Sequence, residues 1–482
     1  MAARDDTGDP YDRLPYTDHA YAEAHPDRLA TVARLCGWEA PGVGTARVLE
    51  LGCGRGGNLL PMASALPDAV VTGVDRSRRQ IDEARAIAAT AGLKNTRFVE
   101  ASFEELRDVG PFDYVLAHGV ASWVAPASRR ALLATVAGAL APAGVAYVSF
   151  NVLPGWYERM AARDWWRFER GADARASIGW LRDHVSPEKA DYRRRLDAVA
   201  ARVSETDLAY FTHEYLADEH HPQLVGALLA EAADAGLAYL GDAIPAETAF
   251  ELVDGEVLAR ARAMGVAEAQ QLVDFVRNTA FRRALFVRAD EAAARRWRWT
   301  AELDAERLEG LRLASRLRPA GEPAAGAHAE RFDAGDVSVQ VEDATARRAL
   351  RELALAAPRS LPFPELARRV DTRDPGALRR ELFDLWLATG ALDLHVNEPD
   401  FTVAPGARPV ACPVARWHAV HGGAVTNRWH HEVRLDDAPL RRVLGLLDGA
   451  RALDDVATAA GCPVEVARAS VEALAAAALV VA

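Results

Sequence analysis

A chain of 482 residues exceeds one ordinary hydrophobic core, and about three folding units are expected of it. Half of its residues are hydrophobic and 26% are charged, a globular composition, while the formal charge of −12 sets its field against phosphate backbones and excludes sequence-independent nucleic-acid binding. Its four cysteines, Cys36, Cys53, Cys412 and Cys462, have no CxxC spacing, and no secretory leader or apolar run of bilayer length is present, so the expectation is a cytoplasmic protein with no disulfide framework, no zinc ribbon and no membrane partner.

Across residues 46–151 short β-branched runs alternate with amphipathic segments. Strands are expected at ARVLELG, AVVTGVD, TRFVEA, DYVLAHG and GVAYVSFN, with helices near 59–65 and 78–91 between the first three. Such alternation implies right-handed crossovers and a parallel, doubly wound, Rossmann-like sheet. Residues 165–210 are arginine-rich, aromatic and helical, as an inserted cap would be. GLAYLGD (236–242) and RALFVR (283–288) flank a helix near 257–277 and are candidates for the last strands of the same sheet. RPAGEPAAGAHAE (318–330) has no hydrophobic period and reads as a linker. Beyond it a weak repeat, near 346–395 and again near 439–481, follows the order of a winged helix. Its candidate reading helices, GALRREL and EVARASVEAL, carry mixed charge, which favours a protein or peptide partner over DNA. The expected architecture is α/β: a Rossmann-like core with an N-terminal lid over 1–160, a helical cap and regulatory region over 161–317, a linker over 318–330, and a C-terminal α+β domain of two winged-helix-like units over 331–482.

The most informative segment is VLELGCGRGGNLL (48–60), where a strand gives way to a helix. Gly52, Gly54 and Gly56 let the backbone turn tightly and approach a ligand, at which the helix N-terminus points its amides. Glu50 ends the strand, an awkward neighbour for a pyrophosphate but a good one for a cation, and S-adenosyl-L-methionine is a cationic nucleoside without phosphate. Asp75 ends the next strand, where a carboxylate accepts both ribose hydroxyls. Ser102 and Phe103 follow the third strand and suit the edge and face of adenine. His118, Gly119 and Trp123 follow the fourth. Each has a plainer reading, Asp75 as a helix N-cap, His118 as a rim histidine, Trp123 and Trp156 as core; it is the succession of four strand ends that points to a cofactor. The thirteen histidines, His430 and His431 among them, show no HxxxH or HExxH spacing, so no metal is expected.

At these residues the sequence resembles the class I S-adenosylmethionine-dependent methyltransferases. The segments YDRLPYTDHAYAEAHPDRLATVARLCG, DYVLAHGVASWV, FNVLPGW, LVDFVRNTAFRRALFVR and the C-terminal ARPVACPVARWHAVHGGAVTNRWHHEVRLDD are similar to the subgroup with a methyltransferase regulatory domain, whose best-known members are bacterial protein-lysine methyltransferases. The resemblance implies that Glu50, Gly52, Gly54, Asp75, Arg76, Ser102, Phe103, His118 and Gly119 surround the cofactor, with Tyr16 in a closing lid, and Cys53, Asn58 and Trp123 are further candidates for the same pocket. Val152 departs from the Thr common among relatives. LLDGARALDDVA is similar to small winged-helix elements that recognise peptides.

The expected chemistry is methyl transfer to an amine of a protein or peptide, a lysine side chain or a terminal amine, with His118, Asn151, Trp156 and Tyr157 as the catalytic candidates. An ammonium must lose its proton before it attacks. Trp156 and Tyr157 would hold it by cation–π contact and Asn151 would orient it. The alternatives are a small-molecule or natural-product N- or O-methyltransferase and a non-enzymatic cofactor-binding scaffold, and a homodimer is compatible with either. A peptide enzyme with a separable C-terminal domain would lose peptide binding, and keep its cofactor affinity, on deletion beyond about Arg318.

Overall fold

The structure is a computed structural model that describes residues 18–106, 109–169, 174–204, 208–249, 252–321 and 328–482. Its centre is a mixed eight-stranded sheet. The strands are β1 (Arg47–Leu51), β2 (Val70–Asp75), β3 (Thr96–Glu100), β4 (Phe112–Ala117), β5 (Leu140–Leu153), the two-residue β6 (Gln223–Leu224), β7 (Leu237–Asp242) and β8 (Phe281–Arg288). They lie in the order β3-β2-β1-β4-β5-β8-β7, with β6 beside the end of β5. Strands β1 to β5 pair in parallel, Glu50 lying opposite Gly73 and Leu116.

The sheet differs from an all-parallel one at its far edge. Strand β8 runs antiparallel between β5 and β7. The chain comes back to β5 by way of the cap, β6 and β7, and β8 then folds beside β7 from the opposite direction. Strand β5 is longer than the GVAYVSFN run, and the single helix expected near 257–277 is two, Gly255–Ala261 and Val266–Arg277. Arg262 ends the first and Gly265 caps the second, the Gly265 amide donating to Glu268 Oε2 at 3.3 Å.

The continuous apolar runs of β1, β2 and β4 are explained by cover on both faces. Val48, Val71 and Tyr114 pack with Leu29, Val32, Leu59, Met62 and Ile81 on one side. Leu49, Val115 and Phe286 pack with Leu132, Val136 and Leu228 on the other. The cap, helices Tyr157–Glu169, Ala174–His184 and Ala190–Ser204, has a small core of its own around Trp156, Trp166, Leu196 and Tyr215.

Of the interval expected to be a linker, Arg318–Pro319 pairs with Glu330–Ala334, and 322–327 lie outside the described residues. One C-terminal unit sets Arg312–Ser315 between Leu361–Pro362 and Leu392–His395, against helices Ala344–Ala356, Phe363–Arg369 and Pro375–Thr389. A second packs helices Pro413–His421, Ala438–Leu446, Leu453–Ala460 and Val464–Ala476 around Val443, Val456 and Leu474. Both lie against the sheet domain. The Asp27 carboxylate accepts the amides of Val396 (3.1 Å) and Asn397 (2.9 Å), and Arg428 donates to the carbonyls of Ser64 and Ala65. Among the described residues no helix is long and apolar enough to cross a membrane.

Candidate active site

A cavity of ≈ 1140 Å³ opens over the carboxyl ends of β1 to β4. Alternation of strand and helix puts the turns after all four strands on the same rim, and that is why residues far apart in sequence share one wall. After β1 the chain turns through Gly52 (φ +76°) and Gly54 (φ +54°). A Cβ at Gly52 would stand 2.5 Å from Val120 Cγ2, a clash on top of its positive φ, and one at Gly54 would stand 2.9 Å from the end of the Gln80 side chain, so there the left-handed backbone is the main penalty.

Glu50 is 3% exposed at the end of β1. Its Oε1 accepts from Asn58 Nδ2 at 2.9 Å, while Oε2 is buried with no hydrogen-bond partner among the described residues. Burial pushes the carboxyl up to about 8, against the opposing pull of the Asn58 hydrogen bond. At the end of β2 the two oxygens of Asp75 accept from Gly54 N and Ser77 N, each at 2.9 Å, which fixes the carboxylate beside the glycine turn. Ser77, not Asp75, caps the following helix, accepting from Gln80 N at 3.1 Å.

The described part of the N-terminal segment lies over this rim. Tyr21 stacks on His118 at 3.6 Å between ring centroids, its amide donates to Asn58 Oδ1 (3.1 Å), and Glu23 pairs with Arg283 (2.9 Å). His118 Nδ1 meets the Tyr147 hydroxyl at 2.8 Å, and burial pushes the imidazole down to about 3, so it is neutral. Opposite, the cap contributes a π-helical turn, Thr212–Leu216, that brings Glu214 to the cavity wall. Desolvation raises Glu214 to about 7 despite Arg159 and Arg163. Asp218 and Glu219 continue this acidic side.

Of the residues singled out in the sequence, Glu50, Gly52, Cys53, Gly54, Asn58, Asp75, Arg76, Ser102, Phe103, His118, Gly119, Trp123 and Asn151 all line the cavity. Tyr16 lies outside the described residues. Trp156 and Tyr157 stand off the wall. Trp156 is fully buried, tilted against His220 at 4.2 Å, because the turn before it directs the ring into the cap core, whereas Tyr157 opens the next helix with its side chain toward solvent. His220 was not foreseen. It lies between Trp123 and Trp156, its Nε2 is 3.1 Å from Asn151 Nδ2, and burial pushes it down to about 3. Glu23, Glu214 and Arg283 were also missed, since no local spacing marks a side chain that reaches the rim from another element. Among the described residues no group of His, Cys, Asp or Glu is arranged to hold a metal ion.

Comparison with known proteins adds three matches along the chain: a methyltransferase domain over residues 48–144, a predicted methyltransferase regulatory domain over 207–288, and the PKMT C-terminal winged helix domain over 407–460. Among relatives, uncharacterized protein RP789 of Rickettsia prowazekii is 33% identical over 58% of this chain, which spans 53% of that protein's length. Uncharacterized protein RP028 of the same organism is 31% identical over 43% of this chain and 87% of its own length. The solved structure of PKMT2 from Rickettsia typhi superimposes with a TM-score of 0.85 at 23% identity, covering 97% of this chain and 100% of that one, and the same protein was also solved in complex with AdoHcy (TM-score 0.85, 22% identity).

Proposed function

Because the chain belongs to the class I S-adenosylmethionine-dependent methyltransferases that carry a methyltransferase regulatory domain, we propose that it methylates an amine nitrogen of a protein or peptide, a lysine side chain or a terminal amine. One observation carries the choice of an amine. Glu214, Asp218 and Glu219 line the cavity from the cap, near Arg159, and Glu23 joins the lining paired with Arg283; within a molecule of net negative charge this carboxylate cluster favours a cationic substrate group.

The residues present fit S-adenosylmethionine. The Glu50 oxygen left without a donor suits the cofactor's cationic amino group, Asp75 suits the ribose hydroxyls, Ser102 and Phe103 suit the adenine, and the turn through Gly52 and Gly54 brings bare backbone to the cavity wall. When bound, the cofactor supplies an electrophilic methyl group on a sulfonium. The chain's own work is alignment, exclusion of water and proton handling.

An ammonium with an ordinary pKa of about 10.4 is less than about a thousandth neutral at pH 7, so the site must help remove a proton. His118 and His220, both held near 3, accept none at that pH. Glu214, near 7, is the wall group suited to receive it. Asn151 Nδ2 is engaged with His220, which keeps the Asn151 carbonyl for orienting the nucleophile. Trp123, stacked on His220 at 4.5 Å, offers a flat apolar face beside it.

The test is to incubate the protein with methyl-labelled cofactor and native lysate, then locate the label by mass spectrometry. Label on lysine or N-terminal nitrogen of a polypeptide is expected. Label only in low-mass metabolites would favour a small-molecule N- or O-methyltransferase, and cofactor binding with no label on any acceptor would favour a scaffold.

A further inference from the structure

The C-terminal unit reaches the cofactor turn through one tight segment. Asn427 Oδ1 accepts the amides of Trp429 (3.0 Å) and His431 (2.9 Å), and Asn427 N donates to His431 O (2.9 Å), which folds the segment on itself. It straddles the helix Leu59–Ala65 that follows the glycine turn. Arg428 donates to Ser64 O and Ala65 O at the helix's carboxyl end, and His430 Nε2 meets Asn58 Oδ1 at 2.8 Å at its amino end. Glu432 accepts from Ala20 N (3.3 Å) and pairs with His19 (2.8 Å), so the same segment also holds the N-terminal lid.

The hydrogen-bond directions in this cluster are determined. The Tyr21 amide can only donate, so the Asn58 atom facing it is the oxygen, and the nitrogen faces Glu50. His430 Nε2, facing that same oxygen, must carry its proton. Burial holds the imidazole well below its ordinary pKa, consistent with a neutral ring that donates from Nε2 alone. His430 is 0% exposed, Asn58 4% and Glu50 3%, so water does not compete within the chain His430 to Asn58 to Glu50.

We propose that the C-terminal winged-helix unit is a working part of the cofactor site: His430 is a positioning residue that holds the Asn58 amide, and through it the Glu50 carboxyl, in the orientation that receives the cationic end of the cofactor. The inference rests on the assignment of Glu50 to that end of the cofactor. Asn58 Oδ1 takes two donors, the Tyr21 amide and His430 Nε2, and the second of these ties the rotamer that points Nδ2 at Glu50 to the C-terminal unit. Any partner that shifts the C-terminal unit then changes cofactor affinity, and the cofactor changes affinity for that partner by the same factor. Deletion beyond Arg318 therefore does not separate peptide binding from cofactor binding, because it removes His430 as well.

The experiment uses the full chain and S-adenosylhomocysteine titrated by calorimetry, with steady-state kinetics and thermal melting alongside. His430 has φ +62°, a left-handed conformation that Asn tolerates, so His430→Asn removes the reach of the side chain with little backbone penalty. His430→Gln places an amide N–H near the imidazole Nε2. We expect His430→Asn to raise the dissociation constant and the cofactor KM about tenfold while kcat at saturating cofactor stays within about twofold, as for the loss of one buried hydrogen bond. His430→Gln should recover most of that loss, and His430→Asn added to Asn58→Ala should weaken binding no further. Wild-type binding with unchanged affinity in His430→Asn overturns the proposal, as does a loss equal in both His430 variants that merely follows their melting temperatures. No binding by the wild type overturns the assignment of Glu50 as well.

Discussion

Glu50 and Glu214 are both buried carboxyls raised above their ordinary range, and they predict different behaviour. Glu50, near 8 without ligand, must be ionised to hold a cation, so binding below pH 8 should release a proton and cofactor affinity should rise with pH toward that value, by up to about tenfold per unit. Calorimetry in two buffers of different ionisation enthalpy checks this. Glu50→Gln should abolish the buffer dependence and weaken binding about 10- to 100-fold, the range for a charge-assisted hydrogen bond. Glu214, near 7, should set the acidic limb of kcat/KM, rate rising as it ionises. Glu214→Gln should remove that limb and lower the rate about 100-fold while leaving cofactor affinity as it was; an unchanged limb would assign the proton to another group.

At the scale of elements, the turn after β1 is the least forgiving part of the molecule. Gly52→Ala brings a Cβ to 2.5 Å from Val120 Cγ2 at a backbone angle of +76°, two penalties in one position. We expect a loss of about 1–3 kcal/mol of stability, read by denaturant unfolding, together with loss of cofactor binding. The companion change Val120→Ala should relieve the clash and leave the strain, giving partial recovery. This turn was legible in the sequence because its information is local: glycines, the acid before them and the apolar strand are contiguous, and the same holds for Asp75, Ser102 and His118 at the next strand ends. The antiparallel course of β8 was not legible, since the apolar run RALFVR is the same in either direction. Trp156 and Tyr157 were misplaced for a related reason. Adjacent positions at a helix start point about 100° apart, and only the packed cap decides that the tryptophan goes in and the tyrosine out. His220, Glu214 and His430 carry no local signal at all, because each meets the cavity or its supports across a gap in sequence that no periodicity spans.

At the scale of the whole molecule the buried titratable groups give the fold a preferred acidity. His25 near 4 and His118 near 3 are neutral when folded, so below pH 6.5 the unfolded chain takes up protons that the folded one refuses, and stability falls as pH drops, each group contributing up to about 1.4 kcal/mol per pH unit. Glu50 and Glu214 act in the other direction: they bind protons more tightly when folded, so the ligand-free protein loses stability as pH rises from 4.5 toward 7 and 8. Melting temperature without cofactor should therefore peak between pH 4.5 and 6.5, and S-adenosylhomocysteine, by accepting an ionised Glu50, should move the peak upward. A melting temperature that climbs steadily to pH 8.5 without ligand would contradict this balance.

The bond between Asn58 and His430 joins residues 372 apart in the chain, and that distance has a meaning in time. During synthesis the glycine turn and its acids leave the ribosome early, whereas the imidazole that steadies them emerges only after the cap and most of the C-terminal region have been made. Contacts of such range form late, once the intervening loop has been closed. A half-made chain thus carries the residues of the pocket without the hydrogen bond that His430 supplies, and on the proposal above its cofactor affinity reaches full value only once the C-terminal unit has packed against the sheet domain.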